Sequence, residues 1–181
     1  MKKIKGLPRA KSRGFTLIEL LIVIAIIAIL AIIVVLTINP ARIMEKSRDS
    51  QRMSDLTSLA TAINLYLADS HDFAALITGN DYLSTDGTDQ TRRLNDGTGW
   101  VPLDFTVVSS GAPISALPVD PQNKTLNGKN YWYIFGADVD AKTYELDCIF
   151  ESSDNTSKHG ADGGDNADRY EVGTDLTILG A

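Results

Sequence analysis

A single cysteine, Cys148, stands in the whole chain. No disulfide can form within it, so an exported domain would take its stability from packing, from neighbouring subunits or from a bound metal. Only two histidines are present, His71 and His159. They are far apart and have no Cys or His at ligand spacing, which argues against zinc. No Ser-His-Asp set and no carboxylate pair can be argued from spacing, so nothing in the sequence points to an enzyme. Acids are missing from the first 14 residues, which instead carry Lys2, Lys3, Lys5, Arg9, Lys11 and Arg13.

That last absence divides the chain electrically. With six of its 17 basic residues in the leader, the remainder holds 11 against 23 acids, a formal −12. An acidic body of this kind is a poor general binder of nucleic-acid phosphates, because affinity for them rests on Lys and Arg. Between the two lies a long apolar run. Residues 15–38 contain only three polar side chains, Thr16, Glu19 and Thr37, and as a helix would extend about 36 Å, enough to span a bilayer. An ordinary secretory signal has a shorter apolar stretch of about 7–15 residues and an A-x-A-like cut site. Here the alanines Ala25, Ala28 and Ala31 are spaced by three. The basic leader, set against the near-balanced charges from Arg42 to Arg52, places the N-terminus in the cytoplasm and the acidic body outside.

One residue in the run calls for a reason. A charged side chain inside a membrane helix costs roughly 2.5–3.5 kcal/mol at the bilayer centre and less near an interface, and is usually kept for a role. Glu19 sits four residues into the run, within "RGFTLIELL". A basic leader ending in glycine, followed by "FTLIELLIVIAIIAIL", resembles the N-terminal signature of type IV pilins and of type II secretion pseudopilins. The resemblance implies that a prepilin peptidase cuts between Gly14 and Phe15, methylates the new amine of Phe15 and leaves the apolar helix in place. It further implies that Glu19 pairs with the N-terminal amine of a neighbouring subunit in the filament core. Glu19 is one helical turn from Phe15 and on the same face, and opposite charges attract strongly at low dielectric. Desolvation offsets much of that gain, so the pair acts on register more than on stability. The reading without a partner is that Glu19 reaches up to the headgroups. Many type IV pilins carry a proline inside this helix, where Leu36 stands here; this chain has Asn39-Pro40 instead, which predicts a kink or break near residues 37–40.

Past the break, Met53, Leu56, Leu59 or Ala60, Ile63 and Leu67 recur at helical spacing, so residues 41–69 read as an amphipathic helix whose apolar stripe packs on the body. The charges from Arg42 to Arg52 read as a solvated face or as contacts between subunits. Residues 78–99 hold Asn80-Asp81, Asp86-Gly87 and Asp96-Gly97 and read as a long surface loop. Residues 101–108 predict a short strand, as does the aromatic run "YWYIF" at 131–135,. Tyr144, Leu146, Cys148 and Phe150 alternate with Glu145, Asp147, Ile149 and Glu151, the pattern of a half-buried strand with Cys148 inward. Residues 136–142 suit a hairpin loop and residues 171–179 a last strand. The fold class expected is α+β: a long N-terminal helix, transmembrane in one half and amphipathic in the other, packed on a small antiparallel sheet of three or four strands. The resemblance implies the same pilin-like fold, and "LPVDPQN…YWY" is weakly similar to a pseudopilin pattern.

The remaining cluster is "ADGGDNADRYE", with Asp162, Asp165 and Asp168 at intervals of three and Gly163-Gly164 allowing a tight turn. It does not match an EF-hand. From composition it reads either as a solvated acidic loop or as a calcium loop, since calcium takes carboxylate and carbonyl oxygens in flexible geometry. Type II secretion major pseudopilins have a calcium loop near the C-terminus, and the resemblance therefore implies calcium here, with Asp162, Asp165 and Asp168 as ligands. A cation that fixes this loop to the final strand would substitute for the missing disulfide.

The organisation expected is a cytoplasmic leader at 1–14, a membrane and filament-core helix at 15–38, an amphipathic half at 39–70 and an extracytoplasmic body at 71–181. The resemblance implies a structural filament subunit, as type IV pilin or pseudopilin, held as a single-pass inner-membrane protein before assembly and in an extracytoplasmic or surface filament after it. Its partners would be itself, other pilin-like subunits, the prepilin peptidase and an inner-membrane assembly platform. The lack of a C-terminal cysteine pair departs from many type IV pilins, and the acidic C-terminal loop leans toward the pseudopilins. The other reading is a membrane-tethered binding module that never polymerises.

Overall fold

The computed structural model describes residues 14–180, so the basic leader up to Arg13 lies outside the described residues. Two compact units divide near Pro40.

The first unit consists of one helix, α1 (Leu17–Ile38). Its Leu, Ile and Ala side chains leave all the hydrogen-bonding inside the backbone ladder, which is the arrangement a spanning segment requires. Leu17–Val35 is long and apolar enough to cross a membrane. The predicted interruption is present: α1 ends at Ile38, and Asn39 takes a left-handed backbone with φ 47° and ψ 83°. Asparagine tolerates that conformation. Pro40, the first residue of the next helix, disfavours a helical conformation in the residue before it and lacks the amide that a helix start leaves unpaired anyway.

The second unit is built on α2 (Pro40–Ala68) and a four-stranded antiparallel sheet. The strands are β1 (Tyr82–Leu83), β4 (Ile134–Asp138), β5 (Thr143–Cys148) and β6 (Tyr170–Gly173), in the spatial order β1-β4-β5-β6. A separate hairpin pairs β2 (Lys124–Leu126) with β3 (Lys129–Tyr131). Leu56, Leu59, Ala60, Ala62 and Ile63 of α2 are buried, with Met53 and Leu67 packed at the margin. They share one core with Phe73, Trp100, Tyr133, Phe135, Tyr144, Leu146, Cys148 and Phe150. The helical stripe and the inward set of β5 are thus the two faces of that core.

Several expectations need correction. The last strand covers only Tyr170–Gly173, not residues 171–179. Residues 101–108 form no strand: Asp104 accepts hydrogen bonds from the amide (2.9 Å) and the hydroxyl (2.5 Å) of Thr106, capping a short 3-10 turn at Phe105–Val107. The "YWYIF" run is split between β3 and β4, because Tyr133 exchanges backbone and hydroxyl hydrogen bonds with Ser84 and leaves the ladder there. The loop at 78–99 contributes β1, a two-residue edge strand. Finally, the charges of early α2 are only in part a solvated face: Arg42 and Lys46 stay exposed and pair with Asp154, but those that follow turn inward. Asp49 and Arg52 are wholly buried, and Arg48 is bidentate to Glu151 at 2.8 and 2.5 Å.

Candidate functional site

At the start of α1 the chain closes its own helix end. Thr16 is the N-cap: its hydroxyl accepts from the Glu19 amide at 3.2 Å, while the Glu19 carboxylate accepts from the Thr16 amide at 2.9 Å and its hydroxyl at 2.7 Å. This reciprocal capping box satisfies two donors that a helix start otherwise leaves open. Glu19 therefore has a partner in the single chain, and Thr16 is a residue that reading Glu19 by itself overlooks. The T-x-x-E spacing ahead of an apolar run is the sequence signal for it. Before the cap, Gly14 lies in irregular chain with open space around it, and Phe15 is 81% exposed. The Gly14-Phe15 bond is accessible from solvent. Along α1 the large apolar side chains from Leu17 to Val35 are all exposed in the single chain.

A second cluster lies on the face of the sheet turned away from α2. In β5 the residues between the core positions are Glu145 and Asp147, opposite Gly173 and Glu171 of β6. All three acids are buried, so β5 is not half-buried but covered on both faces. The cover is the C-terminal segment: Ile178 and Leu179 donate their amides to Glu145 Oε2 at 2.7 and 2.8 Å. Leu179 also sits so close over Gly136 that a Cβ there would come within 2.5 Å of it. Alternation alone cannot reveal such a cover, because the segment that supplies it lies some thirty residues further along the chain.

The 162–168 loop joins this face. Asp162 accepts the Gly164 amide at 3.1 Å and the Glu171 amide at 2.9 Å, one on each oxygen. Glu171 Oε2 accepts the Asn166 amide at 3.2 Å. Gly164 lies directly against that carboxylate, where a Cβ would fall 1.8 Å from Oε2. Among the described residues, one trio of acids brings carboxylate oxygens within 4.8 Å of one another: Glu145, Asp165 and Glu171. Asp162 and Asp168 are not in it. Asp168 lines a separate cavity of about 260 Å³ with Lys129, Asn130 and Arg169. Burial, followed by the neighbouring Glu145 carboxylate, pushes Glu171 up to about 8. Burial and then Glu145 likewise raise Asp147 to about 8, although Arg169, 4.0 Å away, pulls it down.

The histidines serve packing. His159 is buried against Phe150, ring centroids 5.0 Å apart, and accepts the Phe150 amide on Nε2 at 3.2 Å. Burial holds its pKa below the usual value. His71 stacks on Tyr66 at 4.7 Å. Cys148 is buried and its thiol is pushed well up by burial, which keeps it unreactive.

Residues 9–35 match the model of the prokaryotic N-terminal methylation motif. The chain therefore carries a type IV pilin or pseudopilin-like N-terminal signature, on an α+β arrangement that fits a pilin, and its apolar N-terminal helix is compatible with membrane anchoring. No curated protein and no solved structure matches the chain.

Proposed function

We propose that the protein is a non-enzymatic structural subunit of a type IV filament, a pilin or a type II secretion pseudopilin. It is made as a precursor, cut by prepilin peptidase between Gly14 and Phe15, methylated at Phe15 and polymerised through residues 15–38. The observation that carries this reading is the methylation motif at 9–35, which runs into an apolar helix with no internal partner and a single acid, Glu19.

The capping box gives the assembly step a physical form. Before assembly, Glu19 is held by Thr16 at the start of its own helix. During assembly a methylated amine from a neighbouring Phe15 takes over the carboxylate, exchanging two hydrogen bonds from neutral Thr16 donors for an ion pair between opposite charges in low dielectric. The exchange selects register, because an amine that arrives one turn out of place leaves two charges desolvated and unpaired.

The test is mass and N-terminal analysis of the protein from its native membrane, with sedimentation of filaments from wild type, Gly14→Ala and Glu19→Ala. A chain that begins at N-methylated Phe15, with filaments lost in Glu19→Ala and cleavage lost in Gly14→Ala, supports the reading. An uncut chain that is equally monomeric in all three forms would sink it and favour a tethered binding module. Within the filament reading, surface fibres that vanish on deletion mark a pilin, and loss of an exported protein marks a pseudopilin.

A further inference from the structure

We propose that the cavity between the β2–β3 hairpin and the turn at Asn166–Arg169 binds a small hydroxy- or amino-carboxylate: Arg169, Lys129 and Asn130 take its carboxylate, and Asp168 takes its hydroxyl or ammonium group. The inference does not rest on the filament reading. It starts from two cations that a strongly acidic body leaves unbalanced. The chain beyond residue 14 carries a formal −12, yet among the described residues Lys129 has no ion pair and Arg169 only a loose one, its Nε 4.0 Å from Asp147. The Arg169 side chain is only 19% exposed, and its Nη1 is buried with no hydrogen-bond partner. A buried donor without an acceptor is unfavourable, and a ligand oxygen supplies the acceptor.

Both cations line one cavity of about 260 Å³, together with Gly128, Asn130, Ile149 and Asp168. The hairpin sets Lys129 and Asn130 in place. Asn127 and Gly128 both have positive φ, 53° and 77°, the conformation of a two-residue turn that matches the twist of its strands, and Thr125 lies opposite Asn130 across the hairpin. The Thr125 hydroxyl donates to Asn130 Oδ1 at 2.9 Å, which orients the side-chain amide and leaves its nitrogen to donate. Arg169 is positioned by its own turn, whose amide donates to the Asn166 carbonyl at 3.2 Å. Three donor groups and one acceptor group therefore meet in one space. A guanidinium fork matches the two oxygens of a carboxylate, and the Lys129 ammonium adds charge beside it. Such donors also accept phosphate, but the Asp168 carboxylate on the same cavity repels a second negative charge and favours a hydroxyl or ammonium on the ligand. The volume lies below the roughly 300–1,000 Å³ of drug-sized pockets, which limits the ligand to the size of an amino acid or a sugar acid, and Ile149 offers an apolar patch to its carbons. Lys129 and Asp168 are exposed, so the ligand has a way in.

The experiment takes the full chain in detergent at low salt and follows NMR shifts as glycine, glucuronate, acetate or inorganic phosphate is added. Saturable shifts at the Gly128 amide, the Asn130 side chain and Arg169 Nε are expected with glycine or glucuronate, and whichever of the two binds distinguishes an amino acid from a sugar acid. Acetate, which offers Asp168 nothing, should bind at least about fivefold more weakly, and phosphate likewise. Lys129→Gln removes an exposed cation without a described ion pair, so it should melt as wild type does while binding falls at least about tenfold. Arg169→Gln should abolish binding, and its failure to fold leaves Lys129→Gln to decide. Asp168→Asn should lose the preference over acetate while still binding acetate. Lys142→Gln, which removes an exposed cation outside the cavity, should bind as wild type. No saturable shift up to about 10 mM glycine or glucuronate would overturn the site, as would wild-type affinity in Lys129→Gln, an equal loss in Lys142→Gln, or phosphate binding as tightly as either. Every readout is on the unassembled subunit, so its failure is distinct from any failure to polymerise.

Discussion

Arg52 is the residue on which the second unit closes its polar interior. Its guanidinium donates to Asp120 at 2.6 and 2.9 Å and to Asp49 at 2.9 Å, and it lies 2.7 Å from Glu151. Asp49 in turn accepts the amides of Glu151 and Ser152, so one helix turn holds two loops distant in sequence. Removing one partner of such a group strands the others in the interior. Arg52→Ala is expected to cost about 3–5 kcal/mol in urea unfolding, and Arg52→Lys to recover only part of it, because an ammonium lacks the planar fork. A loss below about 1 kcal/mol for Arg52→Ala would show that water enters and solvates the acids. Glu151 reports the same network through pH. Burial raises its pKa, but hydrogen bonds from Arg48 and Arg52 outweigh burial and leave it lowered. A lowered carboxylate stabilises the fold above its ordinary value of about 4.3 and ceases to do so as pH falls below that. His159 works in a higher window. Its lowered pKa means that the folded state resists protonation, so stability is full above about 6.5 and falls as pH drops below it. His159→Gln keeps an acceptor without titrating. Relative to wild type it should raise the unfolding free energy at pH 5.5 more than at pH 7.5, against the opposite slope that Asp147 and Glu171, raised to about 8, set in the same window,. An equal change at the two pH values would show that His159 does not titrate between them.

Secondary-structure elements were legible wherever one period of hydrophobicity met one partner. The stripe of α2 and the inward set of β5 are of that kind, since Leu56, Ile63, Leu146 and Cys148 all point into a single core. The same helix misled at its start, because periodicity shows which residues share a face but not whether a loop will fold over it. Asp49 and Arg52 look like surface charges until residues 120 and 150–152 close on them. Strand β5 misled on its second face for the same reason, hidden beneath residues 174–179. The N-terminal signature was readable because Gly14, Phe15 and Glu19 form a linear motif. The acid trio was not, because its members come from β5, β6 and a loop and meet only after folding. Gly136 tests the cover directly. Gly136→Ala should push Leu179 away, costing about 1–3 kcal/mol by overpacking and speeding amide exchange at Ile178 and Leu179. Unchanged protection there would mean that the C-terminal segment is held without seating on β4.

At the scale of the whole molecule, the governing feature is the separation of charge about the apolar run, six basic residues before it and a formal −12 for the rest. That asymmetry predicts a leader that stays with the cytoplasm and a body that crosses, because positive charge close to a span resists translocation and acids count for little. Cys148 makes the prediction easy to examine. It is 0% exposed, so the native thiol should be silent toward a charged, membrane-impermeant maleimide. Ser157→Cys places a thiol at an exposed position in the same unit. Ser157→Cys should label in right-side-out membrane vesicles and stay at background in sealed inverted ones, while Cys148 should label in either only after urea and detergent. Labelling of Ser157→Cys from the inverted side would reverse the topology, and with it the access of a cytoplasmic-side peptidase to the Gly14-Phe15 bond. Labelling of native Cys148 without denaturant would show instead that the core around β5 opens, and the long loops of this unit would then be held far less firmly than its buried ion network implies.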